Sequence, residues 1–208
     1  MIKGRNLQLR ALEKADLLFL HQLHNNYKTM NYFFEEPFET VRELEDLYEK
    51  HVHNSTERRF VLEEVATGTS VGVLSLVEID EINRKCEIDI IIDERFQGKG
   101  YGKQGFILGV KYGFDVLNIF KMYLVLLAHN EPGRRVYQFA GFKKEGKLKK
   151  EFFLNGEYVD AERMCLFDYQ WRRMKKQLNE YMGFESPEVV MVRKPREAPS
   201  NRDVRMVS

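Results

Sequence analysis

A chain of 208 residues, 43% hydrophobic and 12% aromatic, suffices for one domain with a substantial core. Its 33 Lys and Arg balance 32 Asp and Glu, a formal net charge of +1, which argues against nucleic acid as a partner because phosphate binding normally shows as a basic excess. No run approaches the ~20 apolar residues of a membrane span, no signal-like segment opens the chain, and Cys86 and Cys165 read as buried, reduced thiols, so the expectation is a cytoplasmic protein without membrane contact.

In chain order, alternation in Leu7-Gln8-Leu9-Arg10 predicts a first strand, and residues 13–25 a helix with Leu17, Leu20 and Leu23 inward. A second helix is expected from about 41 to 53, opened by the capping-box spacing of Thr40 and Glu43, with Leu44, Leu47, Tyr48 and His51 on its buried face. Residues 59–65 and 71–79 read as strands joined by a turn at Gly68, and Cys86 to Ile92 as a strand whose isoleucines are interrupted only by Asp89. A glycine loop, Gly98-Lys99-Gly100-Tyr101-Gly102, precedes a helix over 103–117. A buried strand over 122–128 leads to a short helix over 131–140 with Asn130 as its N-cap. Strands over 143–153 and 163–167, a turn at Asn155-Gly156 and a helix over 168–181 complete the domain, 1–182. Three of the five prolines lie in 183–208, which reads as a tail without its own core.

Strand, glycine loop and helix together present backbone N–H groups and a helix N-terminus to an anion. Neither the Walker pattern nor a full dinucleotide fingerprint is present, since Lys103 stands where a third spaced glycine would fall. On the loop alone an ordinary tight turn and a phosphate site are equal readings. Eight acids between Glu35 and Glu57 form a second feature, with Glu39, Glu43 and Asp46 spaced for one acidic edge. Separated carboxylates complement a polycation, although for Glu45 and Glu49 a solvated helix face is the preferred reading.

Gln97-Gly98-Lys99-Gly100-Tyr101-Gly102 resembles the (Arg/Gln)-x-x-Gly-x-(Gly/Ala) loop of GNAT-superfamily acetyltransferases. Glu35-Glu36-Pro37, Lys50-His51-Val52-His53, Glu57-Arg58-Arg59-Phe60, Tyr112-Gly113-Phe114 and Glu151-Phe152-Phe153-Leu154-Asn155-Gly156 resemble the bacterial spermidine N-acetyltransferases, from about Leu7 to Tyr169. The resemblance implies an α+β acyltransferase fold, a mixed central sheet of about seven strands flanked by about four helices. It implies acetyl-CoA as cosubstrate, held by Gln97, Gly98, Lys99, Gly100, Tyr101, Gly102 and Lys103, by the backbone of Ile90, Ile91 and Ile92, and by Asn130. Spermidine and spermine are the implied substrates, with Met30, Glu35, Glu43, His51, Val52, His53, Asn54, Glu57 and Glu78 contributing to polyamine binding, in part at an allosteric site between subunits of a homo-oligomer, a dodecamer. Glu35 and Glu78 are the implied ligands of a divalent cation such as Mg.

Acetyl transfer to an amine needs the amine neutral and the leaving thiolate protonated. For an amine with a pKa near ~10.4, deprotonation at pH 7 costs about 4.6 kcal/mol, part of which a carboxylate base can offset. Tyr137, where the resemblance places a tyrosine proton donor, is the candidate acid, and Glu87 the candidate base acting through water. The sequence departs from the resemblance at two points. Asn130-Glu131-Pro132-Gly133 opens the helix of Tyr137 with poor helix formers, and Ser75 stands where relatives often carry an acid. An acetyltransferase for another amine, such as an aminoglycoside or a protein N-terminus, and a non-catalytic polyamine or acyl-CoA sensor remain open as alternatives.

Overall fold

The computed structural model describes residues 1–30, 32, 36–51 and 54–184, without the side chain of His51. Among them, eight strands form one sheet in the order β1-β2-β3-β4-β5-β6-β8-β7. The strands are β1 (Ile2–Lys3), β2 (Leu7–Ala11), β3 (Arg58–Glu64), β4 (Ser70–Asp80), β5 (Lys85–Ile92), β6 (Lys121–Leu127), β7 (Lys143–Leu154) and β8 (Glu157–Phe167). The helices are α1 (Leu17–His24), α2 (Tyr27–Met30), α3 (Val41–His51), α4 (Tyr101–Lys111), α5 (Glu131–Phe139) and α6 (Asp168–Met182). The sheet is mixed, as expected, because β5 and β6 pair in parallel while every other neighbouring pair is antiparallel.

One short strand, β1, takes the sheet past the expected seven, and α2 and α6 take the helices past the expected four, α6 being the helix read over 168–181. The two-residue β1 and the single-turn α2 are too brief to leave a periodic signal. β8 begins at Glu157, well before the expected residue 163. Its first four residues leave their side chains at the surface or only partly covered, so they carry no inward apolar alternation. The turn before it is as expected: Asn155 and Gly156 have φ of 51° and 87°, the positive pair of a type I′ hairpin.

Strand alternation sorts the core into two sides. Cys86, Ile88 and Ile90 of β5 join Leu74 and Leu76 of β4 in the main core, beneath Phe106, Ile107 and Val110 of α4. Gly105 and Gly109 let α4 lie close to the sheet, since a Cβ on Gly109 would stand 2.4 Å from Leu74 Cδ1. Ile91 and Val73 face the other side, where they pack with Leu17, Leu20 and Leu23 of α1, Met30 of α2 and Leu44 of α3. The alternation therefore places Glu87 and Asp89 on the α1–α3 side of β5.

α3 starts with the expected capping box: the Thr40 N–H donates to Glu43 Oε2 at 2.7 Å, and the Glu43 N–H to Thr40 Oγ1 at 3.2 Å. Its buried face is narrower than expected. Leu44 is 3% exposed and Tyr48 packs beside it, but Leu47 is 43% exposed, because only one stripe of this helix meets α1. At the other end of the domain, the Gly183 and Phe184 N–H groups donate to the carbonyls of Glu180 and Asn179, the paired bonds of a Schellman motif. Phe184 packs on the main core. These two residues, placed by the sequence at the start of the tail, thus close α6; residues 185–208 lie outside the described part. No described helix is long and apolar enough to cross a membrane.

Candidate active site

β5 and β6 stay in register only over Lys85↔Lys121, Cys86↔Met122 and Glu87↔Tyr123. Beyond that point no ladder joins them, although β5 remains paired to β4 as far as Ile92 and β6 to β8 as far as Leu127. The two strands diverge into a V, and a cleft of about 1040 Å³ runs along it. This exceeds the usual size of a small-molecule site and leaves room for two ligands. Of the expected residues, Glu87, Ile90, Ile91, Ile92, Gln97, Gly98, Gly100, Gly102, Lys103, Asn130, Tyr137, Met30 and Glu57 all line it.

The glycine loop forms the mouth. Gly98 and Gly100 have φ of 75° and 85°, a region that residues with a Cβ rarely occupy. Gly100 is the N-cap of α4 and, having no side chain, caps none of its N–H groups; the first turn therefore offers unbonded donors toward the cleft. The Gln97 side chain donates to the Ile92 carbonyl at 3.0 Å and ties the loop to β5. Two loop side chains turn elsewhere: the Tyr101 hydroxyl donates to Glu64 on β3, and the Lys99 ammonium lies over the Phe96 ring, 5.0 Å from its centre.

Tyr137 stands on α5, its ring centre 4.8 Å from that of Phe106. The irregular start of α5 is well held. Asn130 Oδ1 accepts from the Gly133 N–H at 2.9 Å, and a Cβ on residue 133 would approach Asn130 Nδ2 to 2.8 Å, so the glycine makes room for the cap. Arg134 adds bonds to the Ala128 carbonyl, at 2.6 Å, and to Glu162. Burial, and after it the charge of Asp89, push the Tyr137 hydroxyl well above the ordinary tyrosine range, so it is protonated at neutral pH.

Glu87 lies at the apex of the V. Burial first and the charge of Glu78 second raise its pKa; the Arg163 guanidinium and a hydrogen bond from the Val125 N–H oppose them. Arg163 and Tyr123 are residues that the sequence reading missed, with the guanidinium 3.8 Å from the centre of the Tyr123 ring. Asp89, also missed as a site residue, lines the cleft two positions along β5; its signal was the break in the isoleucine run.

The remaining expected residues are dispersed. Glu43, Glu39 and Asp46 do share one surface, a second cavity of about 450 Å³ that Met30, His24 and Glu36 also line. Glu39, however, precedes α3 and bonds His24 Nδ1 at 2.6 Å, while Asp46 pairs with Arg42 at 3.1 Å. Asn54 sits before β3, its Oδ1 accepting from the Thr56 N–H at 2.8 Å. Glu78, exposed at an irregularity of β4, accepts from the Tyr123 hydroxyl. His51 ends α3, and Glu35, Val52 and His53 lie outside the described residues. Among the described residues no three His, Cys, Asp or Glu side chains cluster closely enough to hold a metal ion; Glu35, the other implied ligand of the cation, lies outside them.

Residues 6–143 match the family described as "Acetyltransferase (GNAT) domain". The chain is 46% identical to the spermidine N(1)-acetyltransferase of Escherichia coli over 171 residues, 82% of this chain and 91% of that one. It superposes with a TM-score of 0.78 and 42% identity on spermidine N-acetyltransferase from Vibrio cholerae in complex with CoA and spermine, covering 80% of this chain and 98% of that one. A dodecameric structure of the Vibrio cholerae enzyme in an intermediate state gives a TM-score of 0.72 at 43% identity, over 80% and 96% of the two chains. A family match that includes the parted strands and the glycine loop, joined to this identity along nearly the whole of a relative, places the chain in the GNAT acetyltransferase family and, within it, among the bacterial spermidine N-acetyltransferases.

Proposed function

We propose that this enzyme transfers the acetyl group of acetyl-CoA to a primary amine of spermidine or spermine in the V between β5 and β6. The observation that carries the proposal is that V, which combines an open backbone edge, an anion-ready helix start and a base and an acid on its walls. Acetyl-CoA supplies the acetyl thioester. The chain fits it in two ways. Backbone donors at Gly98, Gly100, Gly102 and Lys103, with the Lys103 charge, suit a pyrophosphate. The edge of β5 at Ile90, Ile91 and Ile92, left without a β6 partner, suits amide pairing with an extended arm. Lys99 and Tyr101 contribute through their backbone, and Asn130 by fixing the start of α5.

Glu87 accepts the proton of the substrate ammonium through water, and its raised pKa brings it closer to that task than an ordinary carboxylate. Tyr137 then protonates the leaving thiolate. Glu57 and Met30 line the cleft beside them and contact the polyamine. In the second cavity Glu43, with Glu36, Glu39 and Asp46, takes a regulatory polyamine; the resemblance adds Glu35, His51, Val52, His53 and Asn54 to the residues that bind polyamine. The chain assembles with itself, as the relative's dodecamer does; the exposed Phe153 and Tyr158, both 65% exposed and paired edge to face, suit a subunit contact. Buried, unpaired Cys86 and Cys165 suit the reducing cytoplasm. The catalytic domain comprises 1–184, with 185–208 as a tail.

CoA release measured with spermidine, spermine, putrescine, an aminoglycoside and a peptide amine tests the proposal. Spermidine and spermine should give the highest kcat/KM. Preference for the aminoglycoside or the peptide would replace the substrate while leaving the reaction.

A further inference from the structure

Glu87 is not the only carboxylate on the cleft side of β5. Asp89 stands two residues later on the same face and lines the same cleft, with Ile90, Ile91 and Ile92 beyond it. Two residues of a strand span about 6.7 Å, close to the reach of the three- or four-carbon chain that separates neighbouring amines in spermidine. Across the β4–β5 ladder, Asp89 stands directly opposite Ser75, which is uncharged, and the flanking cross-strand pairs are Leu76 with Ile88 and Leu74 with Ile90. On this wall the inward residues of β4 are Val73, Ser75 and Val77, so Glu87 and Asp89 are the acids that these two strands present to the cleft. Asp89 is also near enough to Tyr137 for its charge to act on the phenol, which puts it beside the reacting groups rather than at the mouth.

We propose that Asp89 is a specificity-determining residue, binding the ammonium group next to the amine that reacts at Glu87 and so selecting amines that carry a second positive charge a few carbons away. The proposal rests on the polyamine reading above. A monoamine of matching length reaches Glu87 but brings no second cation to Asp89. A diamine or triamine satisfies both carboxylates at once, and the pair holds it in register along β5.

Kinetics of Asp89→Asn with spermidine and with a linear monoamine of similar length test this. A charged hydrogen bond contributes enough that its loss should lower kcat/KM for spermidine about tenfold or more, mostly through KM. The monoamine should change less than twofold. Ser75→Asp added to Asp89→Asn returns a carboxylate across the ladder, where paired Cβ atoms are ~5 Å apart, and should restore most of the lost spermidine activity. An equal loss for both amines would overturn the inference and leave Asp89 acting on Tyr137 alone, and the kcat pH profile would move with it. Spermidine kinetics unchanged in Asp89→Asn would also overturn it while leaving the polyamine reading intact. A wild-type enzyme inactive on spermidine would overturn that reading first, and this inference with it.

Discussion

Glu87 and Tyr123 are the last residues that β5 and β6 hold opposite one another. Past them the Val125 N–H donates to the Glu87 carboxylate, so the residue that closes the ladder also occupies the apex of the cleft it opens. Its surroundings favour the protonated form, chiefly by burial and then by Glu78.

That asymmetry has two consequences for Glu87→Gln. As a base Glu87 must be ionised, so wild-type kcat/KM should fall as pH drops through a pKa above the ordinary carboxylate range. The variant should lose that acidic limb and roughly 10²–10⁴ in turnover. Stability runs the other way. With the folded pKa raised, the carboxylate stabilises the fold when protonated, and that contribution is lost as pH rises from the ordinary carboxylate value through the raised one. Glu87→Gln should therefore melt no lower than wild type at pH 8. A loss of several degrees would show that the charge is needed for folding.

Gly102 separates binding from folding. A Cβ there would meet Ile92 Cγ1 at 3.8 Å and Val136 Cγ2 at 3.9 Å, ordinary contacts, and alanine is a better helix former by about 1 kcal/mol. Gly102→Ala should melt at or above the wild-type temperature while its acetyl-CoA KM rises several-fold, since the methyl enters the cleft beside the first-turn donors. An unchanged KM would remove the first turn of α4 from the binding surface.

Asn130 holds the start of α5 through one side-chain bond to Gly133. Asn130→Ala should cost about 1 kcal/mol in urea denaturation, the usual loss for an N-cap, and reduce kcat because the turn carrying Tyr137 loosens. Asn130→Asp keeps an acceptor and should retain most of the stability. Equal losses in the two variants would mean that the cap is not what Asn130 provides.

Truncation distinguishes the end of the domain from the tail. Ending the chain after Phe184 should leave the melting temperature unchanged. Ending it after Met182 removes the bonds from Gly183 and Phe184 to α6 and the Phe184 packing, and should lower it by several degrees. Loss of stability on the shorter deletion would show that 185–208 docks on the domain.

The features legible in the sequence are those that local chemistry dictates. Asn155-Gly156 announces its hairpin because both residues tolerate positive φ, and Thr40 and Glu43 announce α3 because a capping box needs only residues three apart. The glycine loop was read by its resemblance as well as by its composition. Distant pairings were not legible. The Arg163 guanidinium meets Tyr123 across the β6–β8 ladder, and Arg134 reaches Glu162 across 28 positions; neither leaves a periodic trace. Leu47 fits the apolar spacing of α3 but faces the second cavity, since spacing says which residues share a face and not how wide the neighbouring element is. Asp89 was visible only as a break in a run of isoleucines, and its place in the cleft required the register with Ser75.

Acetyl transfer in the cleft between β5 and β6, with Tyr137 as its acid, is tested most directly by single-turnover kinetics of Tyr137→Phe alongside calorimetric titration with acetyl-CoA. Turnover with spermidine should fall roughly 10²–10⁴-fold at an acetyl-CoA affinity within about twofold of wild type, because the phenol ring and its packing on Phe106 are kept. Near-wild-type turnover at unchanged affinity would contradict this assignment and leave Tyr137 as a core residue.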